Sequence, residues 1–168
     1  MRTFKLALGF FILVLASCNS GSSSKTSTDT TASTADTTQQ TMAMAPAEPQ
    51  PAVPAGAKVF FKNLKNMQSV TSPFKVEMGL TGMTLDTAGV VKEGTGHHHL
   101  LIDAGDSIPT GQVVPKDSTH LHFGKGQSET ELTLTPGMHT LTLQFADGIH
   151  RSYGSKMAAT IMVNVRKK

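Results

Sequence analysis

The chain has 168 residues, of which 38% are hydrophobic and 16% are charged, and it contains a single cysteine. This length suits one folded domain, and a single thiol excludes both a disulfide framework and a cysteine-rich zinc or iron–sulfur site. Two of the 15 basic residues, Arg2 and Lys5, lie in a segment with the features of a cleaved signal, which leaves 13 basic against 12 acidic residues. This near-balance gives no electrostatic indication of a nucleic-acid partner.

Residues 1–17 predict a secretory signal that ends at a lipidation site. A positive region precedes residues 6–16, an apolar run of eleven residues. A bilayer span needs about 20 apolar residues, so the run fits the h-region of a signal peptide better. It ends in the sequence LASC, which resembles a bacterial lipobox and implies cleavage before Cys18 and acylation of that residue. The alternative is a plain secretory signal with an incidental cysteine.

Residues 18–56 predict a lipidated cysteine followed by a disordered tether. Ser and Thr supply 14 of the 27 positions between residues 19 and 45, where large apolar side chains are almost absent. Such a segment cannot offset the entropy of ordering its backbone. Residues 46–56 contain four prolines, which favour extended polyproline conformations. We therefore expect a bacterial cell-envelope protein anchored to a membrane, with the outer membrane favoured and the domain in the periplasm or on the surface.

Residues 57–168 predict an all-β domain, an immunoglobulin-like β-sandwich. Segments rich in Val, Phe, Thr and Leu alternate with Gly- and Asp-containing turn signals, and no window longer than about ten residues has the helical period. Seven strands are predicted, at residues 58–62, 74–80, 98–103, 120–123, 130–135, 139–145 and 158–165. Alternation along the last two strands predicts a core that includes Leu141, Leu143, Phe145, Ile161, Val163 and Val165.

The seven histidines all fall within 54 residues, and this clustering is the strongest functional signal. They are His97, His98, His99, His120, His122, His139 and His150. His-x-His spacing in a strand places two imidazoles on one face, with Cβ atoms roughly 6.5–7 Å apart at a rise of about 3.3 Å per residue. Two such pairs on neighbouring strands would offer three or four nitrogens to one divalent ion. The predicted ligands of copper or zinc are His97, His99, His120, His122 and His150.

The remaining polar residues of this region receive supporting roles. We expect His98 to point into the core and to bond a backbone carbonyl, while His97 and His99 face outward, and we expect His139 to be structural. Hydrogen bonds to carboxylates often fix the tautomer of a ligating histidine. The candidates for that role are Asp103, Glu129 and Asp147.

Two histidine blocks resemble a known family. Residues 96–103 (GHHHLLID) and 120–132 (HLHFGKGQSETEL) are similar to the signature of an uncharacterised family of bacterial exported proteins, domain of unknown function 4399. The resemblance covers about residues 58–165 and includes the closing block around residues 146–154. It supports the fold and the importance of the histidine blocks, and it implies no particular reaction.

Two functions remain in competition. The first is a lipid-anchored module that binds copper or zinc for sequestration or delivery, with a metal-handling or envelope protein as a partner of unknown identity. The second is a non-catalytic structural, glycan-binding or peptide-binding module whose histidines hydrogen-bond within the sheet. The sequence has no Gly-x-Ser-x-Gly, HExxH or phosphate-binding loop, so an enzyme is the less favoured class, although a metalloenzyme with an open coordination position remains a third possibility.

Overall fold

The described part of the chain forms nine strands and one short 3-10 turn. The computed structural model describes residues 49–168, so the predicted signal peptide, Cys18 and most of the predicted tether lie outside the described residues. The strands are β1 (Lys58–Phe61), β2 (Gln68–Thr71), β3 (Phe74–Thr81), β4 (Thr84–Leu85), β5 (Thr95–Ile102), β6 (His120–His122), β7 (Glu129–Leu132), β8 (Gly137–Ala146) and β9 (Ala158–Arg166), with the turn at Ser155–Met157. The all-β prediction is confirmed.

The strands form two sheets. The smaller sheet has the order β1-β3-β7, and the larger has the order β2-β9-β8-β5-β4, with β6 also paired to β5. Most neighbours are antiparallel, whereas β2 runs parallel to β9 and β4 runs parallel to β5. This division, with β5, β8 and β9 in one sheet and β1, β3 and β7 in the other, has the character of an immunoglobulin-like sandwich.

The core lies between the sheets and follows the predicted alternation. Leu141, Leu143 and Phe145 of β8 are fully buried, and they belong to one cluster with Val76 and Met78 of the smaller sheet. Burying a side chain of this size contributes about 1.5–3 kcal/mol relative to leaving it exposed. The inward faces of β3, β5, β8 and β9 therefore hold the sandwich together.

The sequence prediction lacks strands β2 and β4, and residues upstream of Ala57 pack on the domain. Strand β2 (QSVT) has one apolar residue and β4 has only two residues, so neither produces a detectable alternation. Upstream of the predicted boundary, Gln50 Nε2 donates to the carbonyl of Arg151 at 2.8 Å, and Val53 packs against the core. The proline-containing end of the predicted tether thus contacts the domain.

A long loop covers the outer face of the larger sheet. Residues 103–119 cross that face and are held by hydrogen bonds from Thr142 Oγ1 to the carbonyl of Gly105 and from the N–H of Ile108 to Gln144 Oε1. As a result, Thr142 and Gln144 are fully buried although they point away from the core. His97 and His99 of β5 lie on this covered face.

Among the described residues, no helix has the length and apolar character needed to cross a membrane.

Candidate metal centre

Three segments that are distant in sequence bring their histidines together on this covered face. Strand β5 contributes His97 and His99, which alternate with the core-facing His98. Strand β6 contributes His122, which is directly opposite His99 in the antiparallel register. The loop after β8 contributes His150. Cross-strand neighbours on one face approach to about 4.5–5.5 Å between Cβ atoms, which explains why the first three rings meet.

One ring nitrogen from each of three histidines lies within 4.8 Å of one from each of the others. These residues are His97, His122 and His150. The Nε2 atoms of His122 and His150 are 3.1 Å apart and share a hydrogen bond. Tetrahedral ligands with bonds of about 2.0–2.1 Å to zinc stand about 3.3–3.4 Å from one another. The His122–His150 pair is therefore close to the spacing of two zinc ligands, and the nitrogen of His97 lies within 4.8 Å of both.

His99 is adjacent to this group. Its Nε2 atom is 3.0 Å from Nε2 of His97, and its ring centroid is 5.1 Å from that of His122. The Nδ1 atoms of His97 and His99 are buried and have no hydrogen-bond partner among residues 49–168. Buried polar atoms without partners are rare in folded proteins because each costs free energy. A metal ion coordinated by one of these two nitrogens would supply the partner that the nitrogen lacks.

His97 and His99, which the sequence predicts to face outward, are buried. They do point away from the sandwich core, as the alternation predicts, but only 0% and 2% of their surface is exposed. The reason is the loop of residues 103–119, which covers this side of the sheet. Sequence alternation distinguishes the two faces of a strand but does not reveal a loop that crosses one of them.

Desolvation keeps the imidazoles of His97, His99 and His122 neutral. Desolvation, followed by the charges of His122 and His150, lowers the pKa of His97 to about 4. Desolvation and the charge of His97 lower the pKa of His99 to about 2, and desolvation also lowers the pKa of His122. A metal-bound imidazole must be unprotonated. At pH 7, His97, His99 and His122 are therefore in the neutral state that binds metal.

His120 lies outside the group of three. Its Nδ1 atom donates to Asp117 Oδ1 at 2.8 Å, and this hydrogen bond is the main reason that the pKa of Asp117 is lowered. His120 shares a face of β6 with His122, as predicted from the spacing, but its strand partner is Leu101 rather than a histidine. The structure therefore places this predicted ligand beside a carboxylate at the edge of the site.

His98 packs in the core, but the predicted carbonyl partner is absent. Its ring stands edge-on to Phe145 with centroids 5.3 Å apart, and neither ring nitrogen has a hydrogen-bond partner within the described part of the chain. Desolvation lowers the pKa of His98 to about 4. The core position of this residue follows the alternation, whereas its expected hydrogen bond is wrong.

The buried Asp147 shapes the loop that presents His150. Its Oδ1 atom accepts the N–H groups of Ile149 and Arg151, and its Oδ2 atom accepts Nε of Arg151 at 2.7 Å. His150 has a φ angle of 71°, in the left-handed region, and its carbonyl accepts the N–H of Val114. These bonds fix the backbone of His150 from both sides. Asp147 thus supports the site by fixing the backbone of this loop. The expectation that it bonds an imidazole is wrong.

The other two carboxylates that were predicted to orient metal ligands, Asp103 and Glu129, bond residues outside the cluster. Asp103 Oδ2 accepts Nδ1 of His139 at 2.7 Å, far along β8 from the cluster, and Glu129 forms an ion pair with Lys75. Burial alone would lower the pKa of His139, but its hydrogen bonds to Asp103 and to the carbonyl of Thr135 raise it overall. His139 is structural, as predicted, and the expectation that Asp103 and Glu129 orient ligands is wrong.

Comparison with known proteins identifies the family. A family described as a domain of unknown function (DUF4399) matches residues 76–166, which is more than half of the chain and includes every histidine of the cluster. The chain belongs to this family. The match confirms the resemblance of the two histidine blocks to DUF4399. No curated protein and no solved structure matches the chain.

A cavity that no sequence pattern predicts lies beside the cluster. It has a volume of about 360 Å³, and its wall includes His99, His122 and His150. Ala88 and four residues of the covering loop, Val113, Val114, Pro115 and Lys116, complete the wall. No spacing or composition signal marks these loop residues, because their position depends on how residues 103–119 fold back over the sheet.

Proposed function

We propose that this protein binds a transition-metal ion, Cu(II) or Zn(II), through His97, His122 and His150, for sequestration or delivery. The observation that supports this most directly is the convergence of three ring nitrogens, from β5, β6 and the loop after β8, within 4.8 Å. Imidazole suits both ions, and three protein ligands leave a coordination position for a further donor. The Nε2 atom of His99 lies 3.0 Å from Nε2 of His97, so that His99 orients the ring of His97.

The electrostatics of the site favour a cation over protonation. Burial and the neighbouring imidazoles lower the pKa of His97 and His122, so protons compete weakly for these rings at neutral pH. The carboxylate of Asp147 is fully buried, and its charge acts on His97 in the direction that favours a positive charge. A divalent ion bound by three neutral imidazoles would take the place of the shared proton between His122 and His150.

Calorimetric titration of the purified full-length protein with Cu(II) and Zn(II) at pH 7.5 tests the proposal. We expect one ion per chain with a dissociation constant below roughly 10 µM, about −7 kcal/mol in binding free energy. Thermal unfolding measured with and without the ion provides a second readout, because a ligand that binds only the folded state raises the midpoint. Absence of binding for both ions would instead favour the structural or glycan-binding and peptide-binding alternative.

We further propose that the protein is lipid-anchored in the bacterial cell envelope through Cys18. The support is the apolar run of residues 6–16 followed by the sequence LASC. A lipid anchor would hold the metal site near a membrane, on the end of a long Ser- and Thr-rich segment. A site so placed suits the capture or transfer of metal outside the cytoplasm.

Replacing Cys18 with Ser is expected to release the protein from the membrane fraction or to leave it unprocessed, because the acylated thiol would be lost. Membrane fractionation with a carbonate wash, followed by immunoblotting, measures the change. The matched control is Ser17→Ala, which keeps a small residue before the cysteine and should partition like the wild type. A Cys18→Ser protein that remains fully membrane-bound and processed would contradict the lipid anchor.

A further inference from the structure

The metal site borders a cavity that is large enough for a small organic ligand. Two of the three proposed metal ligands, His122 and His150, form part of the wall of this 360 Å³ space. A water molecule in the liquid occupies about 30 Å³, so the space could hold about ten non-hydrogen atoms. A further donor bound to the ion from this side would therefore lie in the cavity.

Much of the cavity wall is apolar. Ala88 lies on one side, and Val113, Val114 and Pro115 of the covering loop also line it. Val114 is buried, and its N–H donates to the carbonyl of His150, so this part of the wall is joined to the metal site through the backbone. An apolar wall favours a ligand with a hydrocarbon portion, because burial of that portion is favourable.

The charged groups around the cavity favour an anion. Lys116 is the one charged side chain among the described residues that line it, and the lining includes no carboxylate. The nearest buried carboxylate, Asp147, already forms an ion pair with Arg151. The ammonium group of Lys116 therefore gives this side of the proposed site a positive potential. A divalent ion held by neutral imidazoles would add to this positive potential.

We infer that the cavity binds a small monocarboxylate with a short hydrocarbon chain, whose carboxylate contacts both the metal ion and Lys116. The hydrocarbon chain lies against Val113, Val114 and Pro115. This inference rests on the proposed metal site and specifies its ligand class. In this arrangement the carboxylate occupies the open coordination position of the ion. The protein then binds the metal ion and the carboxylic acid together.

The test uses the full-length protein loaded with Cu(II), after the metal affinity of each variant has been measured separately. Butanoate and its uncharged analogue butanamide are titrated at saturating metal, and binding is followed by the visible absorption of the ion and by calorimetry. We expect butanoate to perturb the spectrum and to bind at least about tenfold more tightly than butanamide, because only the carboxylate makes charge-assisted contacts. Acetate should bind more weakly than butanoate, since it buries less apolar surface.

Two variants locate the site. Lys116→Met should weaken butanoate binding about fivefold or more through loss of the ammonium group. Lys125→Met is the matched control, because Lys125 lies in the turn after β6 but does not line the cavity, and it should leave butanoate binding unchanged. Ala88→Leu should also weaken butanoate binding by filling the cavity.

The outcomes separate this inference from the proposed function. Tight metal binding with no preference for butanoate over butanamide, or with equal effects of the two lysine changes, would overturn the carboxylate ligand and leave the metal site intact. Failure to bind either metal would overturn both. Butanoate binding that needs the metal and is weakened by Lys116→Met and not by Lys125→Met would support the inference.

Discussion

Replacing His150 with Asn, or His122 with Ala, is expected to weaken metal binding by at least about 100-fold, or about 2.8 kcal/mol. Each change removes one of three converging nitrogens, and two imidazoles hold a divalent ion far less tightly than three. Asn is chosen at position 150 because the φ angle of 71° disfavours most side chains but is tolerated by Asn. Calorimetry with Cu(II) and Zn(II) at pH 7.5 measures the change.

The matched control for these variants is His120→Ala. His120 shares the face of β6 with His122 but bonds Asp117 and is not one of the three converging rings. We expect its replacement to change the metal affinity less than about threefold, under 0.7 kcal/mol. A loss with His120→Ala as large as with His122→Ala would show that the wider ligand set suggested by the sequence, which includes His120, is the correct one. Unchanged affinity in all three variants would exclude the histidine cluster as the metal site.

Replacing His98 with Leu is expected to stabilise the metal-free protein at pH 7 by about 1–3 kcal/mol. The ring of His98 is fully buried, and neither of its nitrogens has a partner among the described residues, so at least one N–H group is buried without a hydrogen bond. Leu has a similar volume, packs against Phe145 and has no polar atom to satisfy. Urea unfolding in the presence of a chelator measures the difference.

The same substitution should flatten the acid side of the stability profile. The pKa of His98 is about 4 in the folded protein and about 6.5 in the unfolded chain, so between these values the unfolded state binds the extra proton. Titration of His98 therefore leaves the free energy of unfolding unchanged above pH 6.5. The free energy of unfolding decreases as the pH falls from about 6.5 toward 4. One proton corresponds to a slope of about 1.4 kcal/mol per pH unit, which His98→Leu should remove.

A second substitution separates polarity from packing at this site. His98→Ala removes the same nitrogens but leaves a space beside Phe145, so it should destabilise the protein at pH 7 by about 2–4 kcal/mol relative to His98→Leu. If His98→Leu were itself strongly destabilising at pH 7, or if its pH profile matched that of the wild type, the buried ring would have a hydrogen-bond partner that its surroundings do not reveal.

Most strands, and the core-facing and outward-facing side of each of them, were predictable because they follow from local sequence patterns. Alternation in β8 and β9 identifies Leu141, Leu143 and Val163 as core residues, and all three are buried. The same rule places His98 on the opposite face from His97 and His99, as observed. Strand β2 was not predictable, since one apolar residue in QSVT carries no period and its formation depends on pairing with β9.

The sequence alone determined that His97 and His99 share one face of a strand and that His120 and His122 share one face of another, and the tertiary structure decided which of these rings meet. His-x-His spacing identifies a face of β5 and of β6, but not the 3.1 Å approach of His150 to His122. That approach depends on Asp147, which fixes the loop after β8, and on the loop of residues 103–119, which pairs with it through bonds such as Gly111 N–H to the carbonyl of Ser152. Such contacts join residues about forty positions apart and leave no periodic pattern in the chain. The burial of His97 and His99, the absence of His120 from the group of three and the cavity beside that group are therefore properties of the folded loops.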